Sequence, residues 1–399
     1  MFKFIHTSDW HLGQNFYGYD RSEEQRDFLR QLADIVREQQ PDALLVSGDI
    51  YHTAAPSSAA VAMYVEGMLD IRQACKTMEI VVIAGNHDSA SRLESDSLLW
   101  KVAGVNVLGG VSRDGTGLAD LDRHIIPVNG KGIIAAVPYA HKNSFPKVED
   151  FEIESSERRR AYFDALLKRV NEINTEGLPV ALMAHLAVSN SDFTGHDLNM
   201  KMECVEIDEL GTAYDYAALG HIHRPQQLSD RARYCGTPIP VSFDEQCEHS
   251  VSIVTIAAQG AKPEVKTVAI KNIKPLHTVP ATDAVDLETA LTEVERRTDI
   301  KDAYIRLNVA VERYLPNGAQ ERAAKVVSEQ QGRFCEIKKT ALQTYEGRSK
   351  QMTVEEFNKK QPSEVANQYY LDKNGQEMTE EEKAMFNIVQ QLVEEENRQ

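Results

Sequence analysis

Two hydrophobic rhythms alternate along residues 1–270, and each predicts a different element. Apolar runs, interrupted only by Lys3, occur at Phe2-Lys-Phe-Ile5, Ala43-Leu-Leu-Val46, Ile80-Val-Val-Ile83, Val180-Ala-Leu-Met183 and Tyr216-Ala-Ala-Leu219. Runs of that kind read as strands buried on both faces. Between them the apolar period becomes helical. A helix is expected at 21–39, with Phe28, Leu32, Ile35 and Val36 on one side. A second follows Pro56, where Val61, Tyr64, Val65, Met68 and Leu69 form a stripe that suits either a domain core or a subunit interface. A third is expected at 153–175, with Tyr162, Phe163, Leu166, Leu167 and Val170. The Gly/Asp-rich segment 109–122 reads as a loop and 186–215 as a long polar insertion. Segments beginning at Ala232 and Ser250 suggest closing strands. Alternating buried strands and helices predict an α/β fold.

The rhythm changes at 271–283, where Pro275 and Pro280 suggest a linker. A small α/β unit follows: a helix at 286–297, a strand alternating at Ile305, Leu307, Val309 and Val311, a turn at Pro316-Asn-Gly, a helix at 319–330 and a strand at 333–339. From about 350 the chain is acidic and polar, and it ends in an expected helix. Thr379 and Glu382 have capping-box spacing, and Met385, Phe386, Val389, Leu392 and Val393 form an apolar stripe suited to a partner helix. The divisions expected are 1–270, 281–345 and 350–399.

Composition narrows the possible functions. The 399 residues are 42% hydrophobic and 26% charged, ordinary for a globular protein. A net charge of −17 argues against a broad basic surface for nucleic acid. The five cysteines show no CxxC pair and read as reduced thiols. No signal peptide fits, and no apolar run approaches the roughly 20 residues of a membrane span. The cytoplasm is the expected location.

The chemistry lies where the buried strands end. After one strand come Asp9 and His11, and after the next Gly48 and Asp49. The third ends in Gly85-Asn86-His87-Asp88, the fourth in His185, the fifth in Gly220-His221-Ile-His223. Open α/β folds keep their sites at this edge. Any one ending has a bland reading: Asp after Gly often caps a helix or forms a turn, and a lone His185 suits a core. Five together would need five coincidences. Oxygen and nitrogen ligands without thiolate suit Mn²⁺, Fe²⁺ or Zn²⁺. Seven candidates exceed one ion and suit two, about 3.5–4 Å apart, sharing a carboxylate. Such a pair offsets phosphate charge and lowers the pKa of a bound water, and a histidine can protonate the leaving oxygen. His6 reads as a strand residue; His124, His141, His196, His249 and His277 read as surface or packing residues.

These five endings, in this order, resemble the motifs of the calcineurin-like metallophosphoesterases. Within that superfamily Ser8-Asp-Trp-His-Leu-Gly13, Gly48-Asp-Ile-Tyr-His52 and Pro56-Ser57 are similar to the bacterial SbcD nucleases. The resemblance implies a four-layer α/β sandwich (1–270), a small α/β capping domain (281–345) and a helical tail (350–399) that docks on an SbcC-type ATPase in a heterotetramer. It implies one ion on Asp9, His11, Asp49 and His223, and a second on Asp49, Asn86, His185 and His221, most simply Mn²⁺. His87 would face the phosphate, Asp88 would hold the other ring nitrogen of His87, and His52 would lie near substrate. The activity implied is exonuclease and endonuclease action on DNA ends and hairpins, in repair and recombination. A homodimer through the helices near 57–75 and 91–103 is implied as well.

Two other readings fit less well. A protein phosphatase would carry Gly-Asp-x-x-Asp-Arg-Gly at the second motif and Glu after Asn-His; here His52-Thr-Ala and Asp88 stand in those places. A non-catalytic scaffold would have no need of a complete ligand set.

Overall fold

Strands that are apolar on both faces need a covering on each side, and in the computed structural model they find one. The structure describes residues 1–149, 154, 157–195, 203–312 and 314–341, and beyond them only 363, 367, 370, 378, 379, 382, 383, 385 and 386. Met1–Val311 and Leu315–Thr340 form one unit; Glu312–Tyr314 and Ala341–Gln399 form another.

The first unit contains two six-stranded sheets. In one the order is Glu264–Ala269, Ser250–Ile256, Phe2–Thr7, Ala43–Ser47, Glu79–Ile83, Val105–Leu108. Its last four strands run parallel, and the closing pair is antiparallel. In the other the order is Gln226–Ser229, Ala232–Tyr234, Tyr216–Gly220, Val180–His185, Gly132–Val137, Ile125–Val128. Side chains alternate across a strand. One set, including Phe2, Phe4, Leu45, Val81, Ile134, Met183 and Tyr216, forms the core shared by the two sheets. The other set of the first sheet packs under helices Ser22–Gln39 and Ser58–Ala74, through Phe28, Leu32, Val36 and Met68. That of the second sheet packs under helix Arg158–Ile173, through Tyr162, Phe163, Leu166 and Val170. The result is the expected helix–sheet–sheet–helix sandwich.

Two local expectations need correcting. The core face of helix Ser58–Ala74 is Ala60, Met63, Tyr64, Gly67, Met68 and Ile71, while Val61 and Leu69 are exposed. The predicted stripe therefore straddles two faces, and the core face includes Gly67, which packs against Leu29 with no room for a side chain. The expected linker contains a strand, Leu276–Val279, lying between its two prolines. It pairs in parallel with Tyr304–Val311 and opens a three-stranded sheet closed by Arg333–Ala341. Helices Leu287–Arg296 and Ala319–Glu329 bury that sheet's apolar side.

The three-stranded sheet is attached through aromatic and charged groups. Tyr304 clusters with Phe16 and Phe243, and its hydroxyl donates to Glu24 at 2.8 Å. Glu24 also takes the fully buried Arg21 at 2.8 Å, whose guanidinium lies over both Phe16 and Tyr304. Burying that charge is tolerable only because Glu24, Gln14 and the Pro240 carbonyl all accept from it.

In the second unit, positions 363, 367 and 370 are helical. The capping box forms: the Thr379 amide donates to Glu382 at 2.8 Å and the Glu382 amide to Thr379 at 3.3 Å. Met385 is exposed; Val389, Leu392 and Val393 lie outside the described residues.

Candidate metal centre

All five chemically loaded strand ends meet at one edge of the sandwich, three from the first sheet and two from the second. The turns that bring them there are strained. Asp9, His11, Asp49 and His221 have φ of 54°, 46°, 52° and 101°. Left-handed backbone at non-glycine residues costs about 1–3 kcal/mol each and collects at functional sites. Main-chain bonds hold it: the Asp9 amide donates to Gly48 and the His11 amide to Asp49, at 2.9 and 3.0 Å. Two glycines make the crowding possible. A Cβ on Gly48 would strike the His185 ring, and one on Gly85 would strike the Asp49 carboxylate.

Two abutting groups of side chains can each hold an ion, Asp9, His11 and His223, and Asp49, His185 and His221; a third set, His11, His52 and His87, overlaps the first through His11. In the first, His11 Nε2 lies 3.2 Å from His223 Nε2. In the second, Asn86 Oδ1 lies 2.7 Å from His221 Nδ1 and 3.0 Å from His185 Nε2. Asp49 stands between the groups, with Oδ2 3.4 Å from His185 Nε2 and 3.9 Å from His11 Nε2. Asn86 belongs by its amide oxygen.

The donor set fits cations. His185 Nδ1–H donates to the Ser47 carbonyl at 2.8 Å, which leaves Nε2 facing two oxygens, a place for a proton or a cation. His11 and His223 turn Nε2 atoms toward each other, and His11 Nδ1 is buried without a partner among the described residues. Charge tells the same story. Burial would push His185 down, but Asp49 and Asp9 outweigh it and hold the ring at about 9. Burial, then the Asp49 charge, pushes Asp88 up to about 7 despite three N–H donors. Burial likewise raises Asp9. Burial would raise Asp49 too, but His185, His11 and His87 outweigh it and hold that carboxylate well below the usual range; the central carboxylate stays charged among acids whose charge is costly, an arrangement that added positive charge would stabilise.

A surrounding set of groups aims this inner set. Glu245, which the sequence reading missed, accepts from His223 Nδ1 at 3.0 Å with its side chain fully buried. Ser8 donates to Asp9, and the His221 amide donates to Asp9 at 3.1 Å. The expected role of Asp88 is corrected. Asp88 does not touch the His87 ring; it accepts from the backbone amides of Ile50, Tyr51 and Gly85 at 3.1, 2.9 and 2.8 Å. The tight turn after Gly85 points its carboxylate back at the Asp49 loop. The His87 ring is held instead by the His52 carbonyl, 2.8 Å from Nδ1. The His52 ring stacks on it at 5.7 Å, and the His87 amide donates to Asp49 at 2.9 Å.

A cavity of about 1430 Å³ opens over this cluster, with His52, His87, Tyr139, Phe193 and Arg224 on its walls. His141, expected at the surface, lies on its rim beside Tyr139. His6 and His124 are buried packing residues, bonded to Tyr216 and Ala136; His249 is buried against Thr237. His196 lies outside the described residues.

Comparison with known proteins agrees with this geometry. The calcineurin-like phosphoesterase family profile matches residues 2–225. The SbcD component of the SbcCD nuclease from Rhodobacter capsulatus is 33% identical over 310 residues, 74% of this chain and 75% of its own. The corresponding Escherichia coli K12 protein is 30% identical over 336 residues, 78% of this chain and 79% of its own. Among solved structures, a dimetal phosphatase from Danio rerio aligns over 68% of this chain and 99% of its own at 14% identity, but its TM-score of 0.37 is too low to bear on the site. The chain belongs to the calcineurin-like phosphoesterases and, within them, to the SbcD family of nucleases, and it is a metal-dependent hydrolase of phosphoester bonds.

Proposed function

We propose that this chain is a DNA exonuclease and endonuclease that opens phosphodiesters at duplex ends and hairpins with two Mn²⁺ ions. One ion would be held by Asp9, His11, Asp49 and His223, the other by Asp49, Asn86, His185 and His221. Bound there, the ions would offset phosphate charge and supply a water of lowered pKa. The position of Asp49 between the two groups, whose histidines His11, His185, His221 and His223 line the open cavity, is the observation that carries this reading. The chain's own residues orient the reaction. The His52 carbonyl fixes Nδ1 of His87, so Nε2 is the atom free to give a proton to the leaving oxygen. The His52 ring lines the cavity and would lie against the same phosphate. Asp88 keeps the Asp49 loop in register.

The division of labour follows from the same reading: 1–270 for catalysis, 281–345 as cap, and 350–399 to dock on an SbcC-type ATPase in a heterotetramer. The net charge of −17 leaves much of the DNA affinity to that partner. A second copy of this chain is proposed to cover Leu98, Leu99 and Val102, which are 80%, 72% and 90% exposed, together with Leu69 at 45%. Among the described residues no helix is long and apolar enough to cross a membrane, and the cytoplasm is the proposed location.

The test is to incubate purified chain and Mn²⁺ with end-labelled duplex, hairpin DNA, a phosphopeptide and a cyclic nucleotide. Cleavage of the two DNAs is expected. Turnover of the phosphopeptide or cyclic nucleotide with intact DNA would overturn the assignment.

A further inference from the structure

Both carboxylate oxygens of Glu245 are engaged. One oxygen accepts from His223 Nδ1 at 3.0 Å. The other accepts from the Thr237 hydroxyl at 2.7 Å and the Val241 amide at 3.2 Å. Its side chain is fully buried. A carboxylate held in this way fixes the tautomer and direction of an imidazole and raises its basicity, a role usual for the outer partner of a metal-binding histidine.

The residues just before Glu245 face elsewhere. Phe243 is buried against Phe16 and Tyr304. Asp244 accepts from Arg306 at 2.9 Å and from Lys338 at 3.5 Å. Arg306 stands on the central strand of the three-stranded sheet with only 4% of its side chain exposed. Its guanidinium lies 5.0 Å from the Phe243 ring centre and also donates to Thr278 at 3.1 Å. Neighbouring Cα atoms are about 3.8 Å apart. A displacement of the sheet that carries Asp244 must therefore move Glu245, or else break the ion pair.

We propose that Glu245 is a positioning residue for His223, and that its neighbour Asp244 ties that histidine to Arg306 of the three-stranded sheet. Cap placement is then read at one ion site through two consecutive residues. This rests on the reading of His223 as a ligand.

The experiment is calorimetric titration of the chelator-stripped full chain with Mn²⁺, with circular dichroism to confirm folding. His223→Ala is expected to lose one of two sites. Glu245→Ala should weaken that same site about 10–100-fold. Glu245→Gln should weaken it less, because the amide keeps the acceptor and drops the charge; it also stands in if the alanine variant does not fold. Asp244→Asn and Arg306→Met, which touch no ligand, should weaken the same site. Adding Arg306→Met to Glu245→Ala should weaken it no further. If His223→Ala loses a site while both Glu245 variants bind as wild type, the positioning role is overturned. Wild-type binding by Asp244→Asn and Arg306→Met would overturn the tie to the sheet. Two sites retained in His223→Ala would instead reject the ligand reading underneath.

Discussion

The imidazole of His87 donates from Nδ1 to the main-chain carbonyl of His52 at 2.8 Å. A side chain is thereby aimed by a group that no side-chain substitution at position 52 removes. His87→Gln is expected to lose about 10²–10⁴-fold in rate on DNA, the usual contribution of a general acid. The loss should shrink on a nitrophenyl phosphodiester, whose leaving group needs little protonation. His52→Ala keeps the carbonyl and loses only ring contact, about 0.5–1.5 kcal/mol or up to about tenfold. Single-turnover rates on both substrates check this; equal damage by the two substitutions would reject the division of roles.

Asp88 predicts a different kind of defect. Its carboxylate satisfies three amides on two loops, and an orphaned buried donor costs about 1–3 kcal/mol. Asp88→Ala should lower the stability of the metal-free chain by several such increments, while Asp88→Asn, which keeps one oxygen, should lose less. Urea unfolding in chelator measures both. Unchanged midpoints would show that the loops hold without it.

The exposed trio Leu98, Leu99 and Val102 predicts the oligomeric state. Leu98→Glu with Leu99→Glu should give monomer at concentrations where wild type sediments as dimer. Both side chains are solvent-facing, so melting in the monomeric range should shift by no more than about 0.5 kcal/mol. A wild-type chain that sediments as monomer throughout would remove the interface.

His6 predicts a pH dependence. Burial, and then the Arg233 charge, holds it near 3, against 6.5 when unfolded. The folded form excludes a proton that the unfolded form binds, so the stability is intact above pH 6.5 and falls as pH drops toward 3. Between pH 7 and 5 the loss is about 2 kcal/mol. His6→Gln keeps a partner for the Tyr216 hydroxyl, 3.1 Å away in wild type, and should flatten that portion. Unfolding curves in chelator at pH 7 and 5 decide; parallel losses in both proteins would refute it.

The inner cluster was legible in the sequence because each member follows an unmistakable buried strand. Asp9, Asp49, Asn86, His185 and His221 announce themselves by position as much as by type. Glu245 gives no such signal. It sits in an irregular loop after Pro240, and only the fold brings it to His223. The support of His87 was misread for a related reason: adjacency in sequence suggested Asp88, whereas a tight turn sends neighbouring side chains apart and a carbonyl 35 positions away takes the bond. The strand Leu276–Val279 was hidden because two prolines read as a break when they only bracket it.

The joining of both sheets at one edge has a consequence during synthesis. His11 and His223, whose ring nitrogens meet at 3.2 Å, are 212 positions apart in the chain. At ribosomal speeds of about 5–20 residues per second, the first waits on the order of 10–40 s for the second to be made. Through that interval Asp9, His11 and Asp49 have been made without His185, His221 and His223, the partners they meet in the folded chain. A cutting centre divided in this way cannot form until the chain has been made past His223, so the early strand ends stay without their late partners until then.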